Sequence, residues 1–173
     1  MRAYKRSDSL SFREAFKRGG PADRTALILS SWFWVGTIPV ASGTFGTLAA
    51  AAPVVAISLF GAIPSALFLV MLVAVAIWSS DLTRRCLNRE DPPEVVIDEA
   101  AGFSLSVFLL PVSFSGVFLG FIFFRMFDIL KPFPIGLIDR KIKGGLGIVL
   151  DDVIAGIFAN ICARIILALF FSP

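Results

Sequence analysis

Histidine is absent from all 173 residues of this chain. That excludes the membrane lipid phosphatases whose chemistry depends on an imidazole. Cysteine is scarce. Cys86 lies in a charged stretch and Cys162 in an apolar run, so a disulfide between them is not expected. Cys86 is followed by LNREDP, so the Cys-x5-Arg phosphate loop of thiol phosphatases is missing as well. There is no Asp-x-Asp pair of the haloacid dehalogenase type. The stretch DDVIAG does not match the Asp-Gly-x2-Ala-Arg pattern of CDP-alcohol transferases. Charge itself is in short supply, at 17% of residues against about 25% in soluble domains.

What fills the chain instead is apolar: 57% of residues are hydrophobic. The composition predicts an integral membrane protein of one domain. The formal charge of +3 is unevenly spread, with Lys and Arg crowded before residue 25, at 84–89 and at 125–143. Residues 1–24 read as a basic cytoplasmic arm that faces anionic lipid, with no cleavage site of a secretory signal. Residues 25–173 read as a single membrane-embedded domain. A membrane is the expected partner and nucleic acid is not; the oligomeric state is not legible.

Apolar segments need about 20 residues to span a bilayer as helix. The stretch at 26–41 is shorter and holds Gly36 and Pro39, which suggests an interfacial or re-entrant helix. Segments 47–60 and 65–78 form a hairpin around Gly-Ala-Ile-Pro. The run 95–130 is broken by PVSFSG, giving two arms at 94–110 and 115–131 that are barely long enough to span. The last stretch, 148–171, spans outright. The prediction is an all-α polytopic bundle with about five transmembrane spans plus the N-terminal interfacial helix. Placing the basic arm, loop 79–94 and loop 131–147 inside satisfies the positive-inside rule and puts the C-terminus outside.

This topology gathers acids from distant segments at one cytoplasmic surface: Asp98, Glu99, Asp128, Asp139, Asp151 and Asp152. Hard oxygen ligands in such number suit Mg²⁺, which binds through one or two carboxylates, water and substrate phosphate. Asp98, Glu99, Asp128 and Asp152 are the candidate ligands, and Asp151 joins them as a candidate catalytic acid or base. Asp151 and Asp152 are about 100° apart around a helix, so one faces the metal while the other orients a neighbour. Arg125 and Lys131 are candidate phosphate-binding cations. The glycines and threonines of ASGTFGTLAA, at 41–50, offer an anion nest with Thr44 and Thr47, or else close helix packing. The plain alternative for any single acid is helix capping and ion pairing at the interface.

Four motifs occur in order: SGTFGTLAA, IDEAAG, FFRMFDILKPFPI and GGLGIVLDDVIAG. Together they resemble the phosphatidylglycerophosphatase A family, Mg²⁺-dependent bacterial membrane enzymes, over about residues 36–160. One departure is visible: Ser42 precedes Gly43-Thr44 where the family usually has Pro. The resemblance implies removal of the terminal phosphate of phosphatidylglycerophosphate to give phosphatidylglycerol, in phospholipid biosynthesis at the bacterial inner membrane. The competing expectation is a cation-coupled transporter or transport subunit, since acids and interrupted apolar segments suit that role too.

Overall fold

The computed structural model describes residues 10–170. Among these it contains eight α-helices, one turn of 3-10 helix and no strand. The all-α prediction holds.

Local chemistry starts the first two helices. In α1 (Phe12–Arg18), Ser11 and Glu14 form a capping box, with the Ser11 amide donating to Glu14 Oε2 at 3.1 Å. In α2 (Pro21–Ser30), Pro21 sits where a missing N–H costs nothing, and Asp23 accepts from the Gly20 amide at 2.9 Å. The expected arm boundary at residue 24 thus falls inside a helix, and residues 1–9 lie outside the described part. After α2 the chain turns through Val35–Thr37 rather than continuing as the interfacial helix expected at 26–41.

Helices α3 (Ser42–Ser58) and α4 (Ala62–Leu87) form the first hairpin, turning at Gly61 with φ +97°. A positive φ of this kind is cheap for glycine alone. Helix α4 runs on to Leu87, so the loop expected at 79–94 is largely helix and Cys86 sits in its last turn.

The second hairpin departs from two equal arms. Helix α5 covers Ile97–Ser106, ten residues, or about 15 Å. Helix α6 (Phe114–Leu130) is capped by Ser113, whose hydroxyl accepts from the Gly116 amide at 3.1 Å. A short α7 (Ile135–Lys141) precedes α8 (Gly144–Phe170). Among the described residues, two helices are long and apolar enough to cross a membrane, α4 and α8. Five spans was the expectation; α5 is too short to be one by itself.

Helix α5 fails to reach farther because it is the centre of the bundle. Ile97, Ala100, Ala101 and Phe103 are buried in the core with Phe124 of α6 and Ala155 of α8. At the crossing with α8, a Cβ on Gly102 would lie 2.6 Å from the Asp152 carbonyl oxygen, so only glycine permits this approach. The chain unwinds after Ser106, which frees carbonyls that need other donors. Asn160 of α8 provides them: its amide nitrogen donates to the carbonyls of Leu105, Ser106 and Phe108 at 3.2, 3.0 and 2.9 Å. Arg164 in turn holds Asn160 Oδ1 at 2.7 Å and Phe108 O at 2.9 Å. The outer faces of the bundle show large apolar side chains, among them Leu59, Phe60, Ile63, Phe114 and Phe118.

Candidate active site

The start of α3, the ends of α4 and α6, and the starts of α5 and α8 meet at one end of the bundle. A cavity of about 370 Å³ opens there. Its lining holds Glu90, Asp91, Asp98, Glu99, Asp128, Asp139, Asp151 and Asp152, against the cations Lys131, Arg140 and Lys143. Carboxylates thus outnumber the cations in the lining by eight to three.

Three acids draw closest. One oxygen each from Asp98, Glu99 and Asp152 lies within 4.8 Å of the others. Asp98 and Glu99 come from the first turn of α5, and Asp152 from α8, across the glycine crossing that presses the two helices together. Asp98 Oδ1 and Glu99 Oε2 are buried without a hydrogen-bond partner. Buried carboxylate oxygens with no donor are costly, and a hard cation relieves them. The donor set therefore fits Mg²⁺. Asp128 lines the same cavity and adds a further carboxylate beside this group.

Asp151 turns another way, as adjacent positions on a helix must. It accepts from Lys131 Nζ at 2.6 Å, and Asp139 accepts from the same nitrogen at 2.9 Å. Lys131 ends α6 in the left-handed region, φ +41°, which swings its side chain back over the cavity. Partial burial works against its charge, but the carboxylates of Asp151 and Asp139 outweigh it and raise its pKa.

Arg125 does not line the cavity. Its Nη1 lies 2.6 Å from Asp128 Oδ2 and 3.9 Å from Glu99 Oε1, so it stands behind both acids. Gly43 makes room for this pair: a Cβ there would collide with Glu99 Oε1 and lie 3.2 Å from Arg125 Nη1. Thr44 and Thr47 are also outside the lining. Thr47 is buried, and its hydroxyl donates to Gly43 O at 2.8 Å. The α3 residue that does face the cavity is Ser42, which donates to Pro93 O at 3.0 Å. It is the first residue of α3, a position that favours proline in general.

The candidate set read from the sequence omitted Ser42, Glu90 and Asp91, gave Asp139 a place at this surface but no role, and left out Arg140 and Lys143. The signal for the last three was the mixed charge of LIDRKIKGG after the two prolines. Nothing in one sequence shows that Asp139 closes on Lys131.

Two helices long and apolar enough to cross a membrane, an acidic cavity at one end of the bundle and a buried cluster of carboxylate oxygens define the class: an all-helical protein with an acidic site where its apolar helices end. The particular family follows from sequence comparison. A family profile described as Phosphatidylglycerophosphatase A matches residues 28–167, and the chain belongs to this family. Phosphatidylglycerophosphatase A of Haemophilus influenzae is 35% identical over 136 residues, covering 78% of this chain and 83% of that protein. The Escherichia coli protein of the same name is 33% identical, covering 76% and 77%. A Bacteroides thetaiotaomicron protein provisionally named phosphatidylinositol-3-phosphatase is 31% identical, covering 78% and 89%. No solved structure matches the chain.

Proposed function

We propose that this chain is a Mg²⁺-dependent phosphatidylglycerophosphatase, a phosphoric monoester hydrolase that forms phosphatidylglycerol at the cytoplasmic face of the bacterial inner membrane. The observation that carries the reading is the cluster of Asp98, Glu99 and Asp152 oxygens within 4.8 Å, in a member of this family. Asp98, Glu99 and Asp152 would hold the ion, with Asp128 beside them. When bound, Mg²⁺ supplies neutralising charge for the phosphate and acidifies a water.

The chain's own residues do the rest. Lys131, Arg140 and Lys143 at the cavity wall attract the phosphate monoester. Water attacks phosphorus, the bond from phosphorus to the glycerol oxygen breaks, and that oxygen takes up a proton. The proton of the attacking water passes to a cavity carboxylate. Asp128 suits this role, because it lines the cavity and Arg125 fixes its orientation. Asp151 keeps Lys131 aimed at the cavity.

In this reading α3, α4, α6 and α8 cross the bilayer. The fifth passage consists of α5 and the irregular segment 107–113, and Asn160 meets the carbonyls of Leu105, Ser106 and Phe108 at their junction. The basic loops around the cavity then face the cytoplasm.

One observation favours the cation-coupled transporter instead: α5 is a half-helix with acids at one end. Phosphate release by the purified chain in detergent separates the two. Turnover of phosphatidylglycerophosphate is expected, faster than that of phosphatidylinositol 3-phosphate, the lipid suggested by the Bacteroides relative's name. No phosphate release from either lipid would leave transport as the better account.

A further inference from the structure

A second cleft, of about 580 Å³, lies between α1 and the turn at 32–37. It belongs to none of the machinery described above, although Glu94 in its wall is one residue from Pro93 of the acidic cavity. Its position is set by three contacts. The Leu10 amide donates to Leu87 O at the end of α4, and the Val96 amide to Ser30 O. Gly36 packs directly on the Glu94 carbonyl. The cleft is thus level with the acidic cavity, where the apolar helices end.

Its chemistry is divided. Phe12, Phe16 and Trp34 form one side, with the rings of Phe16 and Trp34 edge-on at 5.9 Å. Arg13 and Lys17, four apart on one face of α1, form the other. Both are exposed, and neither has an ion pair among the described residues. The acid in the wall, Glu94, is already held by Arg89 at 3.0 and 3.2 Å. Arg24 is taken up by the end of α1, donating to Phe16 O and Lys17 O.

The neighbouring turn is strained in a directed way. Trp32, Phe33 and Trp34 all have positive φ, at 46°, 56° and 69°. Left-handed backbone is unfavourable for bulky side chains, so a run of three needs an outside reason. Its effect is to hold Phe33 and Trp34 out of the bundle, 60% and 47% exposed, with Val40 nearby at 71%. Aromatic side chains at the ends of apolar helices, beside cations that form no ion pair among the described residues, match the headgroup layer of a bilayer.

We infer that this cleft seats an anionic phospholipid of the surrounding leaflet, its phosphate on Arg13 and Lys17 and its upper acyl chain along Phe16 and Trp34. The inference rests on the membrane orientation proposed above but not on the phosphatase reaction. It gives α1 a role as a lateral lipid clamp beside the site.

The test uses full-length protein in phosphatidylcholine vesicles containing a minor fraction of lipid brominated near the top of one acyl chain. The brominated lipid is either phosphatidylglycerol or phosphatidylcholine. The Trp34 signal is the difference in fluorescence between the wild type and Trp34→Phe. Brominated phosphatidylglycerol is expected to quench Trp34 more strongly than brominated phosphatidylcholine at equal fraction. Removing one cation, in Arg13→Ala or Lys17→Ala, should lower that preference about fivefold, the usual effect of one basic residue near an anionic surface. The double variant should abolish it while keeping normal phosphate release in detergent. Equal quenching by the two lipids, or a preference unchanged in the double variant, would overturn the inference. Absence of lipid quenching would do so too, as when the chain's own first residues fill the cleft. Loss of phosphate release in the double variant would make the cleft part of the active site and equally defeat it.

Discussion

At the scale of single residues, the two cations expected to bind phosphate have different surroundings. Lys131 overhangs the cavity, while Arg125 lies behind Asp128 and Glu99. One helix carries both, and its sequence cannot separate them. The difference comes from the left-handed end at Lys131, which no local pattern announces. In the proposed mechanism Arg125 is a positioning residue. Arg125→Lys keeps one charge but loses the planar guanidinium whose Nη1 lies 2.6 Å from Asp128 Oδ2. We expect kcat to fall about 10- to 100-fold, corresponding to the ~1.5–3 kcal/mol of a hydrogen bond to a charged group, with KM nearly unchanged. A large rise in KM at normal kcat would return Arg125 to the phosphate. Thr47 makes the complementary case. Its hydroxyl is spent on Gly43 O inside α3, so Thr47→Val should retain near-normal turnover in detergent. A loss exceeding tenfold, about 1.4 kcal/mol, would show that the threonine touches substrate after all. The acids were easier to read, because charge at the ends of apolar runs is conspicuous. Their grouping into Asp98, Glu99 and Asp152, with Asp151 turned to Lys131, depends on helix phase and on the close crossing at Gly102.

At the scale of elements, the instructive case is α5. An apolar count over 94–110 gives a spanning arm, yet the helix stops at Ser106. Hydropathy registers what a segment can tolerate, not whether a neighbouring helix can satisfy its backbone. Asn160 does so from more than fifty positions away, and Arg164 braces it. Substituting Asn160→Leu leaves three part-buried carbonyls without that donor. Each net hydrogen bond is worth about 0.5–1.5 kcal/mol. The melting temperature of the detergent-solubilised variant should therefore drop by several degrees, and turnover should drop with it, because the helix that carries Asp98 and Glu99 in its first turn loses the anchor at its far end. An unchanged melting curve would mean that the end of α5 is held by something else. The hairpin of α3 and α4 and the last helix were legible because their apolar runs are long and their turns carry glycine and proline.

At the scale of the whole molecule, the proposed topology places the acidic cavity and its basic rim on the cytoplasmic side. Cys86 is a poor reporter, since it packs half-buried at the end of α4 beside the N-terminal cluster. Lys141 is exposed at the end of α7 and lies outside the cavity lining. In a background carrying Cys86→Ser and Cys162→Ser, Lys141→Cys should react with an impermeant thiol reagent in inside-out vesicles and not in intact cells. Reaction in intact cells would invert the bundle.

The account turns on whether the oxygen cluster of Asp98, Glu99 and Asp152 works by holding a divalent ion. The most direct measurement is phosphate release from phosphatidylglycerophosphate by the purified full-length chain, first with chelator and then over a Mg²⁺ titration, beside Asp152→Asn. The account predicts no release with chelator and saturable recovery with Mg²⁺. It also predicts poor recovery with the larger Ca²⁺, and little recovery of Asp152→Asn at any Mg²⁺ concentration. Full turnover in chelator, or an Asp152→Asn variant that recovers like the wild type, would contradict it.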